Sequence, residues 1–295
     1  MNIQTIKSGD VRKAYPRRAA DSHKGMNGRI LIVGGSIDYF GAPLLCGYGA
    51  LYGGADLVYI FVAPCNFEVS RAHYPDFIVK KFGGESAEFL DLKSVPTILE
   101  FAKSCDVLLM GPGIGPAVGE HPESLEAMKT IIESCPIPMV LDGAAIQVLQ
   151  KIKNFPLSKK IIITPHHNEF EHLTGKDVKT SGSISNKVVL ARTVATDLKI
   201  NILLKGAQSI VAAEDGSTVL NTTGNAGMTV GGSGDVLSGF IAALTAQGAN
   251  AFDACRIASY IFGRAGDTLF KQKGFCYTAS DLAAELPFVI KEFSS

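Results

Sequence analysis

Short apolar runs, each closed by a glycine, a proline or a charged residue, recur along the chain. Arg29–Val33 (RILIV), Leu57–Val62 (LVYIFV), Asp106–Met110 (DVLLM), Met139–Leu141, Lys160–Ile163 and Ile202–Leu204 are short and apolar without alternation. That is the pattern of strands buried on both faces. Between them lie segments of helical character. Residues 42–55 mix Ala42, Gly47, Gly49, Ala50, Gly53 and Gly54 with Leu44, Leu45 and Leu51, which predicts a tightly packed helix. Residues 122–134 predict another, with Pro122 in the first turn, where proline is tolerated. Further helices are predicted over 184–198, 235–247, 251–270 and 278–293. The stretch holding Pro64 and His73-Tyr74-Pro75 reads as irregular, Phe77–Val79 as an edge strand, and 209–220 as a small hairpin turning at Glu214-Asp215-Gly216. Repetition of strand, loop and helix predicts an α/β fold, a mostly parallel sheet with helices on both faces. No linker-like change of composition interrupts it, so a single domain over 1–295 is expected.

Charge narrows the partners. With 28 Lys+Arg against 28 Asp+Glu, nothing draws the chain to nucleic acid or to an acidic membrane, and a small, roughly neutral partner is expected. The 31 glycines exceed the usual share of about 7% and fit tight turns and close backbone approaches. Six cysteines at scattered spacings, with no C-x-x-C pair, point to neither zinc nor a disulfide framework. The N-terminus lacks the apolar core of a signal peptide and no run has the apolar length that spans a bilayer, so a cytoplasmic protein is expected.

The chemistry concentrates at 221–239, NTTGNAGMTVGGSGDVLSG. Gly231, Gly232 and Gly234 let another group approach the backbone closely, and the spacing of Val236, Leu237, Phe240, Ile241 and Leu244 starts a helix directly after them. The unpaired amides of that helix point back into the turn, where its dipole also favours an anion such as a phosphate. A carboxylate there repels phosphate, so Asp235 is better used as a base toward a hydroxyl about to attack it. A structural turn in which Asp235 merely caps the helix is the plainer reading of the same residues.

Taken together, DSHKG (21–25), GGS (34–36), FGAPLL (40–45), GPGIG (111–115), TPHHNEF (164–170), LLKGAQS (203–209) and GNAGMTVGGSGDVLSG (224–239) resemble, in order and approximate spacing, the ADP/ATP-dependent NAD(P)H-hydrate dehydratases of the ribokinase-like superfamily. The resemblance covers nearly the whole chain. It implies that a nucleotide, ADP or ATP, phosphorylates the ring hydroxyl of hydrated NADH or NADPH (NADHX or NADPHX), after which phosphate leaves and the dihydronicotinamide is restored. It also implies Mg²⁺ on the nucleotide phosphates and assembly as a homo-oligomer, often a tetramer, with the 42–55 segment and the apolar C-terminal helices as candidate interfaces. Many members carry an N-terminal epimerase domain. Here the first motif begins at Asp21, so that domain is expected to be absent.

By the same resemblance Asp235 is the catalytic base, Gly232, Ser233 and Gly234 form the anion hole, and Ala42, Gly113 and His166 line the dinucleotide together with Asp235. Lys205, Gly206, Ala207, Gln208, Ser209 and Gly234 contact the nucleotide. Glu169 is an indirect, water-mediated magnesium contact. Plainer roles exist for several of these. His166 can simply cap the next helix, Lys205 at a strand end can be a solvated charge, and Gly113 can be turn chemistry alone. The neighbours His166 and His167 point in different directions and make a poor metal pair. The chain departs from the family pattern at Ser233, where Thr is common, at His167-Asn168, where Pro-Gly is usual, and at Asp142-Gly143-Ala144-Ala145, which lacks the second acid of an Asp-Ala-Asp sequence. Asp142 itself remains at a strand end from which it can face the site. A vitamin kinase of the same fold, for hydroxyethylthiazole or pyridoxal, and a nucleotide-binding protein without turnover are the competing readings.

Overall fold

The computed structural model describes residues 3–115, 121–152, 160–176 and 182–294, which include every candidate site residue. Its elements follow in order: α1 (Ser8–Ala14), β1 (Arg29–Val33), α2 (Gly41–Tyr52), β2 (Leu57–Val62), α3 (Pro64–His73), β3 (Phe77–Lys81), α4 (Val95–Ala102), β4 (Val107–Met110), α5 (Pro122–Ser134) and β5 (Met139–Leu141). Then come α6 (Ala144–Val148), β6 (Ile161–Ile163), α7 (His167–Thr174), α8 (Ile184–Leu198), β7 (Asn201–Leu204), β8 (Ser209–Ala212), β9 (Thr218–Asn221), α9 (Ser233–Ala246), α10 (Ala251–Lys273) and α11 (Ala279–Ile290).

One sheet runs in the order β3-β2-β1-β4-β5-β6-β7-β8-β9. The pairings from β3 to β7 are parallel, β7 pairs with β8 antiparallel, and β8 and β9 form the hairpin predicted around Asp215-Gly216. Period-two alternation explains the unbroken apolar runs. Ile30 and Ile32 enter a core with α2, α9, α10 and α11, whereas Leu31 and Val33 enter a second core with α4, α5, α6 and α8 on the opposite face. Around the central strands β4, β5 and β6 both faces are dry and no polar residue interrupts them, whereas the edge strand β3 is partly exposed and ends in Lys80-Lys81. The chain moves outward from β1 to β3 and then returns to β4, which places a topological switch between β1 and β4.

The small residues of α2 serve contact inside the chain. A Cβ on Gly49 would lie 2.0 Å from the Val236 carbonyl oxygen, and one on Gly239 would lie 2.0 Å from that of Cys46. Helices α2 and α9 therefore cross backbone against backbone, and this face of α2 is not open to another copy of the chain. Three sequence expectations change. The irregular stretch after Pro64 is helix α3; proline takes its first turn, and its buried positions, Asn66 and Ser70, are polar, so no apolar stripe announces it. Helix α9 begins at Ser233, two positions early, because Gly232 rather than Asp235 provides the cap. Helix α10 runs on to Lys273 and stops at Gly274, whose positive φ ends it. Among the described residues no helix is long and apolar enough to cross a membrane.

Candidate active site

Because β1, β4, β5, β6 and β7 are parallel, their C-terminal ends share one edge, where open α/β sheets bind ligands. Each end carries a motif: Gly34-Gly35-Ser36 after β1, Gly111–Gly115 after β4, Asp142 after β5, Thr164–His167 after β6 and Lys205–Gln208 after β7. The N-terminus of α9 supplies the turn at 231–235.

Gly232 occupies the cap position of α9 at φ 87°, ψ −10°, a left-handed conformation, and a Cβ there would strike Leu45 Cδ1 at 2.4 Å. Leu45 comes from the FGAPLL segment, so that segment and the GGSGD turn meet at this glycine. The Ser233 hydroxyl donates to the Met228 carbonyl at 2.8 Å and its amide to Val230 at 3.3 Å, which braces the turn. The Gly234 and Asp235 amides lie in the first turn, where the helix itself offers no acceptor. Upstream, the Asn225 side chain receives the Gly227 amide at 3.0 Å and the Tyr277 hydroxyl at 2.7 Å, while the Asp267 carboxylate receives the Gly224 amide and the Asn225 side-chain amide. Asp267 and Tyr277 are distant in sequence, and no motif marks them.

Asp235 is the third residue of α9 and is not the cap. Among the described residues no hydrogen-bond donor reaches its carboxylate. Burial first, then the negative charges of Asp142 and Glu169, push it up from 3.8 to about 7, with Lys205 pulling the other way. A carboxylate poised near neutrality and left unpaired is suited to accept a proton.

Lys205 is no solvated strand-end charge. Its Nζ lies 3.0 Å from Asp142 Oδ1, and 3.2 Å from where a Cβ on Gly234 would stand. Burial works against the ammonium, but Asp142, Glu169 and Asp235 together outweigh it and hold Lys205 above its ordinary value. Burial and Asp142 likewise raise Glu169, opposed by Lys205 and by the His166 amide. Asp142, Asp235, Glu169 and Lys205 thus form one electrostatic unit.

His166 does cap the next helix. Its Nδ1 accepts from the Asn168 and Glu169 amides at 3.1 and 3.2 Å, and Glu169 Oε2 receives the His166 amide at 2.7 Å, a reciprocal capping box. Two amides pointing at Nδ1 place the neutral ring's proton on Nε2, which lies 3.6 Å from Glu169 Oε1. Capping therefore leaves Nε2–H as a donor for Glu169 or for a ligand. The His167 ring goes elsewhere, its Nε2 lying 3.2 Å from where a Cβ on Gly206 would stand. Gly206, Ala207 and Gln208 form an exposed loop, closed by the Ser209 hydroxyl on the Gly206 carbonyl at 3.3 Å. Gly113, at φ 67°, stands against Ala42 and Tyr39: a Cβ there would lie 3.0 Å from that of Ala42.

No three His, Cys, Asp or Glu side chains among the described residues could themselves cage a metal. The unit nevertheless carries three carboxylates and one ammonium, and −3 + 1 leaves a formal charge of −2. Those residues fit Mg²⁺, which keeps waters and leans on substrate phosphates and one or two carboxylates. A cavity of ≈ 830 Å³ lined by Phe61, Phe67, Phe101 and Lys80 lies beside the β3 edge and contains none of the candidate residues.

An NAD(P)H-hydrate dehydratase family model matches residues 30–288. The chain is 38% identical over 283 residues to a bifunctional NAD(P)H-hydrate repair enzyme of Archaeoglobus fulgidus, covering 96% of this chain and 54% of that one. It thus spans about half the length of the first such relatives. It is 35% identical over 299 residues to an ADP-dependent (S)-NAD(P)H-hydrate dehydratase of Cenarchaeum symbiosum, covering 99% of each. An ADP/ATP-dependent NAD(P)H-hydrate dehydratase of Bacillus subtilis, co-crystallised with ATP/Mg²⁺, superposes with a TM-score of 0.82 at 26% identity, covering 99% of each chain. The fold is ribokinase-like, as the motifs imply, and the chain belongs to the NAD(P)H-hydrate dehydratase family.

Proposed function

We propose that the chain is an ADP-dependent (S)-NAD(P)H-hydrate dehydratase that repairs hydrated NADH and NADPH. The observation carrying this reading is Asp235: an unpaired carboxylate raised to about 7, in the first turn of a helix, next to the Lys205–Gly234 contact. Hydroxide leaves a carbon poorly and phosphate leaves it well. Asp235 takes the proton of the ring hydroxyl as its oxygen attacks the β-phosphorus of ADP and AMP departs. Charge on the transferred group is met by the first-turn amides around Gly234, with Ser233 bracing the turn, and by the Lys205 ammonium. Loss of phosphate from the ring carbon, with a proton from the neighbouring carbon, then restores the double bond. The products are NAD(P)H, AMP and inorganic phosphate.

Ala42, Gly113 and the His166 Nε2–H line the dinucleotide, and the Gly206–Ser209 loop holds the nucleotide. Magnesium bound with the nucleotide would neutralise charge on the phosphates, and Glu169 would be its protein-side contact through water. The small-molecule partners are the hydrates and ADP. The reading includes a homo-oligomer, taken as a tetramer, supported by Phe275 and Phe288, which are 61% and 70% exposed around the C-terminal helices; a single monomeric species in sedimentation equilibrium removes that part.

Protein, ADP, Mg²⁺ and hydrated NADH are incubated while absorbance is followed in the reduced-nicotinamide band, and that band is expected to return. No return with ADP or ATP, together with phosphorylation of hydroxyethylthiazole or pyridoxal, would replace this reading with the vitamin-kinase one. Lack of turnover with every substrate would leave a nucleotide-binding protein.

A further inference from the structure

Asp142 is the buried acid that the phosphoryl-transfer reading leaves without a task. It directly follows β5, is 4% exposed, and belongs to the loop that lacks the second acid of the family pattern. Its Oδ1 accepts two hydrogen bonds, from Lys205 Nζ at 3.0 Å and from the Gly143 amide at 3.0 Å. The backbone donor fixes the direction of the carboxylate, and Gly143 can offer it because the chain there takes φ 52°, ψ −126°, a conformation open to glycine.

Lys205 is anchored at the other end, its amide donating to the Pro165 carbonyl at 2.8 Å. Between these fixed points runs a flexible four-carbon arm whose ammonium fills the space a side chain at Gly234 would occupy. Three carboxylates compete for that ammonium: Asp142, Glu169 and Asp235. Pairing with Asp235 would pin the base and lower its basicity, and pairing with Glu169 would draw the charge toward α7. The observed pairing does neither.

We propose that Asp142 is a positioning residue, which holds the Lys205 ammonium against the first turn of α9 and off Asp235, so that the charge stands where the transferred phosphoryl group is bound. The proposal rests on the phosphoryl-transfer reading of the site. Asp142 touches no reacting atom; it fixes the group that does, in advance of substrate.

The test combines Asp142→Asn, Lys205→Gln and the double variant in full-length protein, with steady-state kinetics on ADP and hydrated NADH across pH. Asp142→Asn is expected to lower kcat on the order of 10²-fold, the usual cost of misplacing a catalytic group by about an ångström, without raising KM for ADP, since a negative charge near the phosphates is removed. The double variant is expected to match Lys205→Gln within about twofold, because the acid acts through the lysine. The acid limb of kcat/KM is set by Asp235, which faces Asp142, Glu169 and Lys205. It is expected to move to lower pH in Asp142→Asn and to higher pH in Lys205→Gln.

A merely structural acid would leave that limb in place and add its cost to that of Lys205→Gln, and either result overturns the proposal. If Asp142→Asn does not fold, Asp142→Glu keeps the charge but lengthens the arm, and must lower kcat with the limb unmoved. Absence of turnover in the unsubstituted protein overturns the dehydratase reading separately. Calorimetric ADP affinities of the same four proteins then decide: a double variant that matches Lys205→Gln supports the positioning role, and changes that add independently refute it.

Discussion

Replacing Asp235 by asparagine is expected to make the protein more stable while disabling it. The carboxyl is raised from 3.8 to about 7 in the folded chain. Roughly three pKa units at 1.36 kcal/mol each set an upper bound of about 4 kcal/mol on the cost of ionising it there. Asp235 is only partly buried, so solvent screening reduces this to about 1–3 kcal/mol. The sign follows from proton binding. The folded state holds this proton more tightly than the unfolded state, so stability falls as pH rises from about 4 to about 7, and the full penalty stands above that. Asparagine keeps the shape and removes the charge. Urea unfolding at about pH 8 should show Asp235→Asn more stable by about 1–3 kcal/mol, a gain that shrinks through neutrality and disappears near pH 4. Turnover should drop about 10²- to 10⁴-fold or more, with ADP binding largely kept. A variant no more stable than the parent at about pH 8, or a gain that ignores pH, would refute the placement of Asp235 among burial, Asp142 and Glu169.

Other substitutions test other parts of the site. Gly232→Ala puts a Cβ into Leu45 at a left-handed position and should cost about 1–3 kcal/mol and most activity, checked by denaturation and by ADP affinity. Gly239→Ala meets the Cys46 carbonyl, which cannot give way as a flexible side chain does, and should cost about 3 kcal/mol or prevent folding, read from the yield of folded protein and its unfolding midpoint. His166→Ala should lose about 1 kcal/mol with the cap and raise KM for the hydrate. His166→Asn should recover the stability and not the KM, and recovery of both would leave the ring with no role beyond capping.

The sheet was legible because its central strands are dry on both faces, so runs such as Arg29–Val33 carry no polar interruption to misread. Helix α3 was not, since its buried positions, Asn66 and Ser70, are polar and Val69 is exposed. Helix α4 has a clearer stripe, Val95, Ile98 and Ala102, but spans only 8 residues and carries Pro96 in its first turn. At the site the glycine turn and Asp235 could be found locally, because a turn that opens a helix is built from consecutive residues. Lys205 and Asp142 could each be placed at a strand end, but their ion pair could not, because the partners stand 63 positions apart on different strands. Pairing across strand ends follows from sheet order, which no local pattern of residues encodes.

The crossing of α2 and α9 also bears on how this chain can change over time. Ala42 and Asp235 sit on helices pressed main chain to main chain at Gly49 and Gly239, so the gap between them is ruled by peptide geometry rather than by side-chain rotamers. Conventional core drift, in which one residue shrinks as its neighbour grows, has no volume there to trade. Variation along this edge of the sheet must therefore enter through the strand-end loops, while the spacing of the two helices is inherited unchanged.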